Sequence, residues 1–135
     1  MPKVTIEAPE GASAAAKQKM LKEITEAVYD AYHIPDIRGW LCEYPAHNVS
    51  QDGCVGAEPV RPVCSLDAPE LTNLDAKHKL VQEIDAAMAE AYRGIANTGE
   101  IVILIRQYPQ GNRGLNQVFS ARSIQSSRAR QGLVS

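Results

Sequence analysis

The chain contains its own first part twice. Residues 2–32 match residues 62–92 at a constant offset of sixty, with identity at twelve of the thirty-one positions. Pro2/Pro62, Pro9/Pro69, Glu10/Glu70, Lys17/Lys77, Ile24/Ile84 and Tyr32/Tyr92 are among them. Most mismatches keep polarity, such as Ile6/Leu66, Glu7/Asp67, Met20/Leu80 and Val28/Met88. A repeat of this kind implies two copies of one supersecondary unit, each burying its apolar face against the other.

Each unit opens on a strand. In Lys3 to Glu7 polar residues alternate with Val4 and Ile6, the period-two pattern of a strand with one buried face. Pro9 and Gly11 interrupt the ladder, and Ser13 offers a side-chain oxygen to cap a helix. From Ala14 to Tyr32 the residues Ala16, Met20, Leu21, Ile24, Ala27, Val28 and Ala31 recur at spacings of three and four, which predicts an amphipathic helix. Pro35 ends it, because the residue before a proline avoids helical backbone. Arg38 to Tyr44 reads as a second strand, and Pro45 to Gly53 as a turn or hairpin.

Two strands joined through a helix usually lie parallel in one sheet. The second unit has the same plan, with Thr72 or Asn73 as the helix cap and Ile101 to Ile105 as a fully buried strand. Both units share a Tyr-Pro-x-x-Asn turn, at Tyr44 to Asn48 and at Tyr108 to Asn112. The expected organisation is one domain over residues 1–135, with units at 2–53 and 62–119 and a polar tail at 120–135.

At 135 residues the chain is long enough to fold without metals or disulfides. A net charge of −2 gives no electrostatic reason to expect nucleic acid or a membrane surface as partner. Cys42, Cys54 and Cys64 form an odd set without paired spacing, which fits reduced thiols in a cytoplasmic protein. The first residues hold no apolar run of signal-peptide length, and no later run would span a bilayer. A metal reading of His47, Cys54 and Cys64 fails on spacing and on a missing fourth ligand, so no metal and no organic cofactor are expected.

The two prolines that open the repeats differ in chemistry. Pro2 becomes a secondary amine if Met1 is removed, whereas Pro62 is held in an amide. An α-amino group has an ordinary pKa of roughly 8, and desolvation or a nearby cation turns it into a neutral base at working pH. A guanidinium binds a carboxylate through two parallel hydrogen bonds and stabilises a developing enolate. Arg38 is the first candidate for that role and Arg106 the second. Tyr108, Trp40 and Asn112 are candidate substrate contacts, each weighed against a packing or turn role. Glu7 and Asp67 are considered as carboxylates near a proline, with a structural role at least as well supported.

Pro2 after methionine, the Glu10-Gly11 turn and Ile37-Arg38-Gly39-Trp40-Leu41-Cys42-Glu43 together resemble the tautomerase superfamily. The likeness is to 4-oxalocrotonate tautomerase in a fused, double-length form, and it covers about residues 2–119. It implies an α+β fold of two tandem β-α-β units, with a four-stranded mixed sheet and two helices on one face. It also implies a homotrimer acting on a small carboxylate substrate without a cofactor, Pro2 being the general base and Arg38 a catalytic partner. Related hydratases, dehalogenases and decarboxylases use the proline as a cationic acid instead. The sequence departs from the resembling group at Ala12 and Thr72, where an arginine often follows the turn, so carboxylate binding is either rebuilt from other residues or weakened, and a trimeric binding module with a decayed site is the further alternative.

Overall fold

Alternation in Lys3 to Glu7 becomes strand β1 (Lys3–Pro9), whose Val4, Ile6 and Ala8 are buried under two helices. The structure is a computed structural model and describes residues 1–108. Asn112 and the tail at 120–135 therefore lie outside the described residues.

Helix α1 spans Ala14–Tyr32 and buries Met20, Ile24, Ala27 and Val28, the stripe expected from the three-and-four spacing. Ser13 caps it, its hydroxyl accepting a hydrogen bond from the Ala16 N–H at 3.1 Å. The helix closes on His33, which adopts a left-handed conformation (φ 54°) and donates its N–H to the Tyr29 carbonyl. Helix α2 (Leu74–Ala91) repeats this with Leu80, Ile84, Ala87, Met88 and Ala91. Of its two candidate caps the fold uses Asn73, which accepts from the Ala76 N–H at 3.1 Å.

Strand β2 (Arg38–Tyr44) runs parallel to β1, as a helical crossover demands. After a single 3₁₀ turn at Ala46–Asn48, strands β3 (Ser50–Gln51) and β4 (Cys54–Val55) form a small hairpin. Asp52 and Gly53 connect them, both at positive φ, the geometry that favours Asp-Gly in two-residue hairpin loops. Strands β5 (Val63–Pro69) and β6 (Val102–Tyr108) are again parallel, and the main sheet has the order β2-β1-β5-β6. Only the central pair, β1 and β5, is antiparallel. The result is a four-stranded mixed sheet with both helices on one face, as expected.

The register of that central pair sets the symmetry of the molecule. Thr5 faces its own repeat-mate Ser65, so the approximate twofold axis relating the units passes between them. Pro2 and Pro62 consequently sit at opposite ends of the sheet. Each is fully buried, and each carbonyl accepts a hydrogen bond from the first residue of the neighbouring strand: the Arg38 N–H at 3.1 Å and the Val102 N–H at 3.0 Å.

The core is one cluster of strand and helix side chains, with Ile6, Ile24, Leu66, Ile84, Met88 and Tyr92 among its largest members. Strand β6 departs from expectation. The run Ile101 to Ile105 reads as fully buried, but only Ile101, Ile103 and Ile105 pack against the core, each partly buried, while Val102 and Leu104 are 37% and 48% exposed. The physical reason is position: β6 is an edge strand in a sheet covered on one face, so its alternate residues face outward whatever their polarity.

Candidate active site at the Pro2 end of the sheet

Residues paired across strands carry their side chains on the same face. The face away from the helices holds one row at the Pro2 end, Arg38 on β2, Lys3 on β1, Asp67 on β5 and Arg106 on β6. Three cations and one carboxylate thus stand in line beside the buried proline. Arg106 grips Asp67 with Nε to Oδ1 at 2.7 Å and Nη2 to Oδ2 at 3.2 Å, a two-point pairing. Arg38 holds Asp36 through Nε at 2.9 Å. Lys3 lies over the Trp40 ring with its ammonium 5.4 Å from the centroid. The Asp67 carboxylate beside Arg106 raises that guanidinium above its ordinary pKa, first by hydrogen bonding and then by charge.

The row at the Pro62 end, related by the same axis, is Val102, Val63, Glu7 and Cys42. It carries no cation. Glu7 there accepts a hydrogen bond from the Tyr44 hydroxyl at 3.3 Å, and the neighbouring charge of Glu7 is the first cause that raises the Tyr44 phenol. A cavity of about 730 Å³ opens at this end, lined by residues that include His47, Cys54, Val60 and Val102. Another of about 910 Å³ lies along the helices, lined by Glu23, Tyr29, Asp36 and Glu90 among others. Pro2 lines neither cavity. In this single chain, with Met1 in place and half exposed over it, the proline nitrogen is an amide without basicity.

The predicted site residues therefore fall into groups. Pro2 and Arg38 come together as direct neighbours on β1 and β2. Arg106 and Tyr108 reach the same end from β6, about 14 Å across the sheet from Arg38 at ordinary strand spacing. Trp40 is one row inward, opposite Thr5 and 49% exposed. Of the two carboxylates, Asp67 belongs to the Pro2 end and Glu7 to the other. Cys64 is in the core, its thiol pushed up to about 12 by burial, away from the cavity that His47 and Cys54 line. Among the described residues no His, Cys, Asp and Glu group is arranged to hold a metal. Lys3 was not singled out by the sequence; its signal was parity, since residue 3 of an alternating strand faces away from Val4.

A second difference lies on the helix side. At the Pro62 end Glu43 is held by Lys17 Nζ at 2.9 Å and by the Tyr92 hydroxyl at 3.2 Å. Burial first, and then Glu43, raise the Tyr92 phenol well above the ordinary range. At the Pro2 end the repeat-mates are Lys77, Gln107 and Tyr32. Gln107 Oε1 instead accepts the Leu71 N–H at 2.7 Å. The Tyr32 hydroxyl is buried and, among the described residues, is the one buried side-chain polar atom without a hydrogen bond. Burial first and the neighbouring Tyr108 second raise its pKa. A buried donor without a partner costs about 1–3 kcal/mol.

Comparison with solved structures places this architecture. A symmetric trimer of wild-type fused 4-OT superposes with a TM-score of 0.69 at 24% identity, covering 90% of this chain and 98% of that one. The fold is that of fused 4-OT. Native fused 4-OT gives a TM-score of 0.70 at 19% identity, over 92% of this chain and 97% of that one. Malonate semialdehyde decarboxylase, described with decarboxylase and hydratase activities, shares the fold more distantly, with a TM-score of 0.59 at 14% identity over 87% and 89% of the two chains. No family model and no curated protein sequence matches the chain. No helix among the described residues is long and apolar enough to cross a membrane. Within the fused 4-OT fold, the Pro2 end is the one where a buried proline and a row of cations coincide.

Proposed function

We propose that this chain is a tautomerase-type isomerase that moves a proton on a small carboxylate-bearing enol or dienol, with Pro2 as general base and no cofactor. The observation that carries the reading is the row Arg38, Lys3, Asp67, Arg106 beside Pro2, set against the cation-free row beside Pro62. Loss of Met1, which is half exposed, converts the Pro2 amide into a secondary amine at the edge of that row. Neighbouring cations favour the neutral form of an amine, so an α-amino group with an ordinary pKa of roughly 8 is driven toward the base. Arg38, on the strand beside Pro2, is the nearest guanidinium for a substrate carboxylate or the enolate oxygen. Arg106 and Tyr108 would bind the far end of a substrate, and Asn112 follows on the same segment. Trp40 on β2 and Val102 and Leu104 on β6 are exposed apolar side chains at the two edges of the open sheet face, and this supports a homotrimer in which that face is covered. Trimers are described for fused 4-OT.

The same cations argue against the alternative use of Pro2 as a protonated acid, the role that hydratase or decarboxylase chemistry would require. An enol-ketonisation assay tests both. In the base mechanism Pro2→Ala loses about 10²–10⁴-fold in rate, and the wild-type rate falls as pH drops through the proline pKa. Full activity in Pro2→Ala ends the reading, and a rate that falls as pH rises through that pKa reverses the role of the proline.

A further inference from the structure

The fold holds a carboxylate at one end of the sheet and leaves the matching place empty of one at the other. At the Pro62 end the Glu43 carboxylate is shared between Lys17 and Tyr92. Lys77 and Tyr32 are the repeat-mates of these donors at an offset of sixty, and both are preserved. Only the acceptor has changed. Glu43 pairs with Ala8 on β1 and Gln107 with Ala68 on β5, so Gln107 occupies the equivalent position on the sheet. Its carboxamide is neutral, and its oxygen is drawn away to the Leu71 N–H.

By the repeat symmetry, Lys77 and Tyr32 are the donors whose repeat-mates share a carboxylate at the other end. Among the described residues Lys77 makes no ion pair and the Tyr32 hydroxyl makes no hydrogen bond. Residues 109–135 contain no Asp or Glu side chain. Gln107 is exposed and Lys77 half-buried, so a ligand reaches the ammonium from solvent, whereas the Tyr32 hydroxyl is itself buried. It lies at the Pro2 end, where α1 terminates and β6 delivers Arg106 and Tyr108.

We infer that Lys77 and Tyr32 form a carboxylate-binding subsite at the Pro2 end, taking from a ligand the carboxylate that Glu43 supplies internally at the other end. An ammonium and a hydroxyl together offer a charge-assisted hydrogen bond and a neutral one, which selects an anionic oxygen over an amide. The subsite bears on the departure at Thr72, since Lys77, five residues on in the first turn of α2, supplies a cation at the same end. It deepens the function proposed above, and its binding step does not depend on Pro2.

The test uses oxalate, a planar dianion shaped like an enolised 2-oxo acid, with neutral oxamide as control, and reads the dissociation constant by calorimetry on the folded chain. Gln107→Glu should fill the subsite from within, raising the melting temperature while weakening oxalate at least about tenfold, equivalent to about 1.4 kcal/mol. Lys77→Met should weaken oxalate by a similar factor. Tyr32→Phe should weaken it less while leaving the fold as stable or more so, because an unpartnered buried hydroxyl has been removed. Oxamide should not bind. Overturning results are oxalate affinity unchanged in Gln107→Glu and Lys77→Met, or no oxalate binding by the wild type, as when a partner subunit's carboxylate fills the place. Pro2→Ala separates this inference from the proposed function. Retained oxalate binding with turnover lost supports both, whereas retained turnover sinks the proline mechanism alone.

Discussion

The two ends of the central sheet are built from the same unit and have diverged where chemistry is possible. At one end Pro2 adjoins Arg38, Lys3, Asp67 and Arg106; at the other Pro62 adjoins Val102, Val63, Glu7 and Cys42. Both prolines are buried and both accept the same backbone hydrogen bond, so the architecture accommodates a proline at each strand start irrespective of function. What differs is charge. Three cations stand in the row beside Pro2, whereas the row beside Pro62 has two valines, a cysteine and the carboxylate of Glu7. The helix side shows the converse: the internal carboxylate Glu43 is kept at the Pro62 end and replaced by Gln107 at the Pro2 end.

The comparison is sharpest in activity. Pro2→Ala should abolish most turnover in the ketonisation assay, whereas Pro62→Ala should leave the rate within about twofold, since an amide proline has no proton to exchange. Equal losses would show that both changes act through the fold. The cores, by contrast, should respond alike. Ile24 and Ile84 are repeat-mates at 1% and 0% exposure, and truncation of either to alanine should cost about 2–5 kcal/mol in urea unfolding. A marked inequality would mean that the halves differ in packing as well as in their ends. Glu43→Gln reproduces the second unit's residue in the first. It should cost about 1–3 kcal/mol, because Lys17 and the buried Tyr92 hydroxyl lose their shared acceptor.

The last effect is one of pH. Burial pushes the Cys64 thiol up to about 12 from an ordinary 9.0. Above pH 9.0 the unfolded chain therefore releases a proton that the folded chain keeps, and stability falls between pH 9.0 and about 12. The expected slope is up to about 1.4 kcal/mol per pH unit, and Cys64→Ala should flatten it. Urea midpoints on either side of pH 9.0 measure the difference.

Local elements were legible because their signals are local. Ser13, the apolar stripe through Met20 and Ile24, and Pro35 bracket α1, and Arg38 to Tyr44 carries its own strand composition. The repeat gave two copies of one unit, and the resemblance implied their joining in one sheet with two helices on one face. The exposure of Val102 and Leu104 was not legible, since an apolar run looks the same at a sheet edge as in its centre. Nor was the row beside Pro2, which exists only because β1 meets β5 antiparallel with Thr5 opposite Ser65. Lys3 and Asp67 are 64 residues apart, and no local pattern joins them. The change from Glu43 to Gln107 was visible once the Tyr-Pro turns were aligned. The capture of Gln107 by Leu71, which leaves Tyr32 without a partner, was not.

The central claim is that Pro2 is a free, basic amine and Pro62 is not, and one measurement addresses it directly. The purified chain is treated with 2-oxo-3-pentynoate, an electrophile known to inactivate a protein of the same fold, and its intact mass and peptide map are read before and after. The account predicts a starting mass without Met1, a single adduct mapped to Pro2, and no such adduct in Pro2→Ala. Retention of Met1, or modification confined to the exposed Cys54 thiol with Pro2 untouched, would contradict it.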